Sequence, residues 1–214
     1  MIKPIETHYA GHRFRSRLEA RWAVFFDHMK IQWRYEPQGF KVTSMLAADV
    51  PERYYLPDFY LPGTETWVEV KGDPGKLDFQ LLGDLTDWGG ALPGMENSVG
   101  TTRGLLLLGD IPGKRDDGYI PALPILQHRK CGWVRLATFK TGGFCVEESG
   151  ESEYYFDTTC DYMEPSDPWA QVVLKYFSGD WGLPGEKGDS GVARALDAAR
   201  QARFEHGEAP RRVR

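Results

Sequence analysis

Between residues 104 and 111 the chain reads Gly-Leu-Leu-Leu-Leu-Gly-Asp-Ile. An extended stretch with four consecutive leucines has no face for water, so it must be covered on both sides, as strands of parallel sheets are. Upstream, Lys76–Trp88 places Leu77, Leu81 and Leu85 at intervals of four, the spacing of a helix. Before that helix, Thr66–Lys71 reads as a strand. Strand, helix and buried strand make a crossover unit, which predicts that 104–111 lies parallel to 66–71 in one sheet with a right-handed connection. The expected class is α/β, a mixed sheet flanked by helices.

The N-terminal third adds detail. Phe14–Lys30 carries Leu18, Trp22, Phe25, Phe26 and Met29 at helical spacing, with Ser16 or a neighbour as its cap. Ile31, Trp33 and Tyr35 alternate, Pro37-Gln38-Gly39 turns the chain, and Phe40–Val42 alternates again. Arg53–Leu61 reads as a strand, joined to Thr66–Lys71 through Pro62-Gly63-Thr64-Glu65. Gly63 suits the first central position of a two-residue type II′ turn. Pro57 marks the first strand as an edge strand or as bent there.

Residues 1–112 form the expected core unit, 113–180 an irregular β-rich extension that adds to or completes it, and 181–214 a linker, a helix and a basic tail. Within these, Trp133–Phe139 and Tyr154–Phe156 read as short strands, Pro168–Phe177 as a helix, Trp181–Asp189 as a linker, and Val192–His206 as an Ala/Arg-rich helix. Arg211, Arg212 and Arg214 make the tail basic. The longest purely apolar run, Leu105–Leu108, is far short of the ~20 residues a membrane span needs. No signal peptide is visible at the start, and three cysteines make no disulfide framework, so a reduced cytoplasmic setting is expected.

A net charge of −5 argues at first against a nucleic-acid partner, but its distribution does not. Residues 1–45 carry +4, residues 186–214 carry +2, and the middle carries −11. A basic surface beside an acidic site is what a phosphate-bearing substrate and a cation would require together.

The sharpest chemistry lies in the hairpin. A turn centred between Gly63 and Thr64 sets Asp58 opposite Glu69 on one face, with Lys71 two residues further along it. Two facing carboxylates repel unless a cation neutralises them. Oxygen ligands of this kind suit Mg²⁺, with Mn²⁺ also accepted, rather than Zn²⁺. Such an ion polarises a phosphate and lowers the pKa of a bound water, while Lys71 orients that water or steadies the developing charge. Arg13, Arg15, Arg17 and Arg21, on and before the first helix, are the expected contacts to the phosphates of such a substrate.

Pro57-Asp58 followed by Glu69-Val70-Lys71 resembles the P-D…(D/E)-x-K motif of the PD-(D/E)XK nuclease superfamily. The block Phe14–Ala23 is similar to the first helix of its small phage and bacterial members, and Tyr35-Glu36-Pro37 and Tyr55-Leu56-Pro57-Asp58-Phe59 are similar to further blocks of theirs. The resemblance covers about residues 9–72. It implies a restriction-endonuclease-like α-β-β-β-α-β core and a Mg²⁺-dependent DNA endonuclease. Asp58 and Glu69 would bind the metal with the Val70 carbonyl, Lys71 would be the catalytic lysine, and Glu19 would add a carboxylate from the first helix. A phage or prophage role in DNA recombination, repair or processing, inside a bacterial host cell, goes with it. Exonuclease-like relatives also carry Gln and Tyr one helical turn apart after the lysine; here Gln80 is followed at that spacing by Asp84.

One alternative and three further readings accompany that account. The alternative is a catalytically silent nuclease fold that serves as a DNA-binding or assembly module. Paired cuts would want a homodimer, although no coiled-coil segment marks one. His128, Cys131, Cys145 and Cys160 are the only possible zinc set, and without a second closely spaced pair they read better as free thiols and a lone imidazole. Asp161, Glu164 and Asp167 read as a solvated acidic loop.

Overall fold

Thr7–Tyr9 (β1) and His12–Phe14 (β2) make a hairpin that the sequence reading did not anticipate. It turns through Ala10 and Gly11, both at positive φ, 50° and 84°. That is the type I′ geometry suited to a two-residue loop. The computed structural model describes residues 5–43, 51–86, 91–95, 101–113, 121, 123–127, 134–140, 143–146, 168–177 and 190–204.

The first helix, Arg17–His28 (α1), is shorter than the periodicity of 14–30 predicts, because both ends are fixed by local chemistry. Ser16 Oγ accepts the Glu19 N–H at 3.2 Å and donates to the Glu19 carboxylate at 2.6 Å, a variant of the capping box in which the glutamate reaches back to the Ser16 hydroxyl and the Arg15 N–H. At the other end Lys30 sits at φ 58°. Its N–H donates to Asp27 O and the Ile31 N–H to Phe26 O, closing the last turn. Ala20, Trp22, Ala23, Val24, Phe25 and Phe26 form the buried face between those caps.

Arg34–Tyr35 (β3), Phe40–Val42 (β4), Arg53–Tyr55 (β5), Phe59–Leu61 (β6) and Thr66–Val70 (β7) follow. The single strand expected over Arg53–Leu61 is broken at Leu56-Pro57-Asp58, where Pro57 brings no N–H to a ladder. β5 pairs with β4 in a small separate sheet, whereas β6 pairs with β3 and β7. The type II′ turn expected at Gly63 does not form. Leu61 and Thr66 close a four-residue loop in which Thr64 N–H donates to Leu61 O, and Glu65 takes the left-handed conformation at φ 53°. The loop keeps the expected centre, so the register is unchanged: Phe59, Tyr60 and Leu61 oppose Val68, Trp67 and Thr66.

After a short 3-10 turn at Pro74–Lys76 comes Phe79–Thr86 (α2), and then Gly104–Leu108 (β8), which lies parallel to β7. Leu123–Leu126 (β9), Val134–Lys140 (β10) and Gly143–Val146 (β11) extend the same sheet, so its order is β11-β10-β9-β8-β7-β6-β3. Pro168–Tyr176 (α3) and Ser190–Gln201 (α4) complete the described elements. This is a mixed α/β chain built on one mixed sheet. No helix among the described residues is long and apolar enough to cross a membrane.

The four leucines of β8 divide as two-sided burial requires. Leu106 and Leu108 join Val68 and Val70 in a core with α1 and α4, while Leu105 and Leu107 join Trp67 in a second core with α2 and α3. At the start of β8 a Cβ on Gly104 would come within 2.7 Å of Ile125 and the Leu126 carbonyl, so the close approach to β9 requires glycine. Tyr154–Phe156, Trp181–Asp189, the acidic trio Asp161, Glu164 and Asp167, and the arginines of the tail lie outside the described residues.

Candidate active site

Continuing the β6–β7 register by one pair sets Asp58 opposite Glu69. Both carboxylates are buried, at 2% and 5% exposure. Charges there need partners, and each carboxylate has two. Asp58 Oδ2 accepts the Val70 N–H at 2.7 Å, and Oδ1 accepts from the Arg15 guanidinium at 3.0 Å. Glu69 Oε2 accepts from the Tyr55 hydroxyl at 2.6 Å, while Oε1 pairs with Lys71 Nζ. The break at Pro57 therefore has a positional consequence. It carries Tyr55 off the main sheet, to a place where its hydroxyl reaches back to Glu69.

Glu19 stands beside this pair without belonging to it. Its carboxylate is held by Ser16 Oγ, by the Arg15 N–H at 3.1 Å and by the Tyr35 hydroxyl at 2.7 Å. At 6% exposure it is a buried capping residue and not a solvated helix charge. Arg15 links the groups: its Nε pairs with Glu36 at 2.5 Å and its Nη2 with Asp58. Glu36, at φ 42°, in turn donates its backbone N–H to the Asp58 carbonyl at 3.0 Å.

These contacts shift the proton affinities. Burial pushes the Asp58 carboxyl up to about 8, reinforced by the charges of Glu69 and Glu19 and opposed by the Val70 N–H and Lys71. Burial lowers the Lys71 ammonium, but the adjacent Glu69 charge outweighs it and the net direction is up. The hydroxyls of Tyr35 and Tyr55 are raised, first by burial and then by the glutamates they serve.

The expected site residues are thus partly gathered. Asp58, Glu69, Lys71 and Arg15 meet; Val70 meets them through its N–H; Glu19 is adjacent with its oxygens engaged. Arg13 points elsewhere, exposed and paired with Glu6. Arg17 and Arg21 line a different cavity with residues of α4. Asp84 is buried and bound to Arg53. Three participants were not assigned roles from sequence: Tyr35, Glu36 and Tyr55. Their only signal was membership of the Tyr35-Glu36-Pro37 and Tyr55–Phe59 blocks.

The donor chemistry suits a hard divalent ion. Each carboxylate oxygen of Asp58 and Glu69 has a second lone pair beyond the bond it makes, and an ion between them would relieve the repulsion that adds to burial in raising Asp58. Among the described residues no three His, Cys, Asp or Glu groups converge as a ready cage. His128, Cys131 and Cys160, and the side chain of Cys145, lie outside the described residues. Compared with protein-family models, curated proteins and solved structures, the chain matches none.

Proposed function

We propose that the chain is a Mg²⁺-dependent DNA endonuclease of the PD-(D/E)XK type, with a restriction-endonuclease-like core and a phage or prophage role in DNA processing. One observation carries the reading: two buried carboxylates, Asp58 and Glu69, face each other where β6 and β7 meet the start of α1, with Lys71 bound to one of them. The motif resemblance over residues 9–72 supports it, as does the parallel β7–α2–β8 unit that follows.

In this reading Asp58, Glu69 and the Val70 carbonyl hold Mg²⁺ or Mn²⁺, whose chemistry is to polarise a scissile phosphate and acidify a bound water. The protein's own groups do the rest. Lys71, its ammonium kept protonated beside Glu69, orients the attacking water and offsets charge growing on the phosphate. Arg15 reaches Asp58 from a half-exposed position and supplies a guanidinium to the diester. Tyr55 and the Val70 N–H fix the two carboxylates, and Glu19 with Tyr35 fixes the backbone at Arg15.

A second reading, the catalytically silent DNA-binding or assembly module, draws on one specific observation. All four oxygens of Asp58 and Glu69 are already bonded within the protein, so the cluster satisfies itself as an ion-pair network. One experiment separates the two. Circular, linear and four-way-junction DNA are incubated with the protein in Mg²⁺ or in EDTA, beside Lys71→Ala. Cleavage that needs Mg²⁺ and disappears in Lys71→Ala supports the nuclease. Cleavage that persists in that variant, or no cleavage of any substrate by the wild type, rejects it.

A further inference from the structure

Four arginines of this chain meet away from the carboxylate pair. Arg17 and Arg21 of α1, and Arg200 and Arg203 at the end of α4, line a cavity of about 770 Å³ with Phe204 at its wall. The sequence makes the meeting possible. Ala195, Ala199 and Ala202 are buried in the core shared with α1, and such small side chains let α4 lie close to α1.

Helix geometry separates this cavity from the candidate active site. Arg17 and Arg21 each lie two positions from Glu19, about 200° around a helix of 3.6 residues per turn. Glu19 faces Tyr35 and Arg15. The two arginines therefore project from the opposite side of α1, still within its first turns, where the helix dipole favours anions.

The cavity is lined by four guanidiniums, of which Arg200 is paired with Asp197. Among the described residues its lining contains no carboxylate. Arg200 is held by Asp197 and the Pro112 carbonyl, which fixes its head at the wall. Arg21 carries a buried Nε with no hydrogen-bond partner, an unsatisfied cationic donor of a kind that folded proteins rarely keep. Guanidinium is the group suited to bidentate phosphate binding, and the volume greatly exceeds that of one phosphate ion. Arg17 and Arg21 are neighbours on one face of α1, while Arg200 stands in the last turn of α4 and Arg203 just beyond its end, so cationic groups border the space from two sides. Phe204 offers a ring edge beside them.

We propose that this cavity is a second nucleic-acid site, which grips the sugar–phosphate backbone of a strand on the face of α1 turned away from Asp58 and Glu69. The proposal stands without the cleavage reading, because its test involves no turnover. A labelled DNA strand and its duplex are titrated in EDTA at several salt concentrations, following fluorescence anisotropy. Arg203→Glu changes an exposed side chain at the end of α4 and leaves the core intact; it should weaken binding about tenfold. Arg17→Ala combined with Arg203→Ala should lower the slope of log affinity against log salt by about two. Lys41→Ala, an exposed strand residue outside the cavity, should change neither. Unchanged affinity and slope in the arginine variants would overturn the proposal, as would an equal loss in Lys41→Ala, which would indicate bulk charge alone. Inorganic pyrophosphate that binds the wild type but not Arg203→Glu, with DNA affinity unaffected, would reassign the cavity to a free phosphate and also overturn it.

Discussion

Asp58 and Glu69 are buried opposite each other on neighbouring strands, and each is bound by a cationic side chain from a different element: Asp58 by Arg15, which precedes α1, and Glu69 by Lys71, which follows β7. Three segments thus depend on one pair of acids. Folding the chain assembles the charge cluster, and the chemistry of the cluster feeds back on stability.

Stability should depend on pH through Asp58. Its folded value is about 8, whereas an unfolded aspartate titrates near 3.9. Below about pH 4 both states hold the proton and no penalty exists. Between 4 and 8 the folded state binds more protons than the unfolded one, so stability falls as pH rises, and it levels off above 8. Asp58→Asn removes this dependence. In the metal-free protein, the variant should therefore gain on the wild type between pH 5 and pH 9 by on the order of 4 kcal/mol, about 8–16 °C in Tm. Thermal denaturation at the two pH values checks it; a constant difference between the proteins counts against the assignment.

Lys71 should matter to turnover and little to DNA affinity. It is partly exposed and pairs with Glu69. Lys71→Met should lower the cleavage rate by about 10²–10³, the scale for removing one electrostatic stabiliser. Affinity measured in EDTA should hold within about twofold. A matching loss in both would make Lys71 a binding residue instead.

Glu19 should act mainly through the fold. Ser16→Ala deletes one arm of the capping box and should cost about 1 kcal/mol, or 2–4 °C in Tm. Glu19→Ala should cost more, about 2–3 kcal/mol, because it also leaves the Tyr35 hydroxyl without an acceptor and the Arg15 N–H with Tyr35 alone. Circular dichroism melts rank the two. If Glu19→Ala melts with the wild type yet loses Mg²⁺ binding, the carboxylate is a ligand and not a cap.

Where one local rule governed, the fold was legible in the sequence. The four leucines of β8 could only be a two-sided strand, and the Asp58–Glu69 register followed from the centre of the loop, even though the turn at Gly63 was of the wrong type. Illegible features were those decided at a distance. Nothing local says that Pro57 ends one strand and starts another in a different sheet, or that Tyr55 returns to Glu69. The Ser-x-x-Glu signal of Ser16 and Glu19 was present, but a capping box and a metal carboxylate ask for the same residue type, and only the hydrogen bonds show how that carboxylate is used. The arginines divided in the same way. Charge counting grouped Arg13, Arg15, Arg17 and Arg21, while helix geometry sends them to three different places.

A divalent ion should compete with the proton on Asp58, which gives a test of the metal site that needs no substrate. Binding to the folded state alone raises stability, and with it Tm, as the logarithm of one plus ligand concentration over Kd. Below about pH 8 the ion must displace a proton, so its apparent affinity should increase from pH 6 towards 8 and then become constant. Mn²⁺ or Mg²⁺ should accordingly raise Tm more at pH 8 than at pH 6, and EDTA should reverse the gain. Glu69→Gln should abolish the increase at both pH values, because it removes one of the two charges the ion requires. An equal Tm gain in wild type and Glu69→Gln would place the ion elsewhere on the protein.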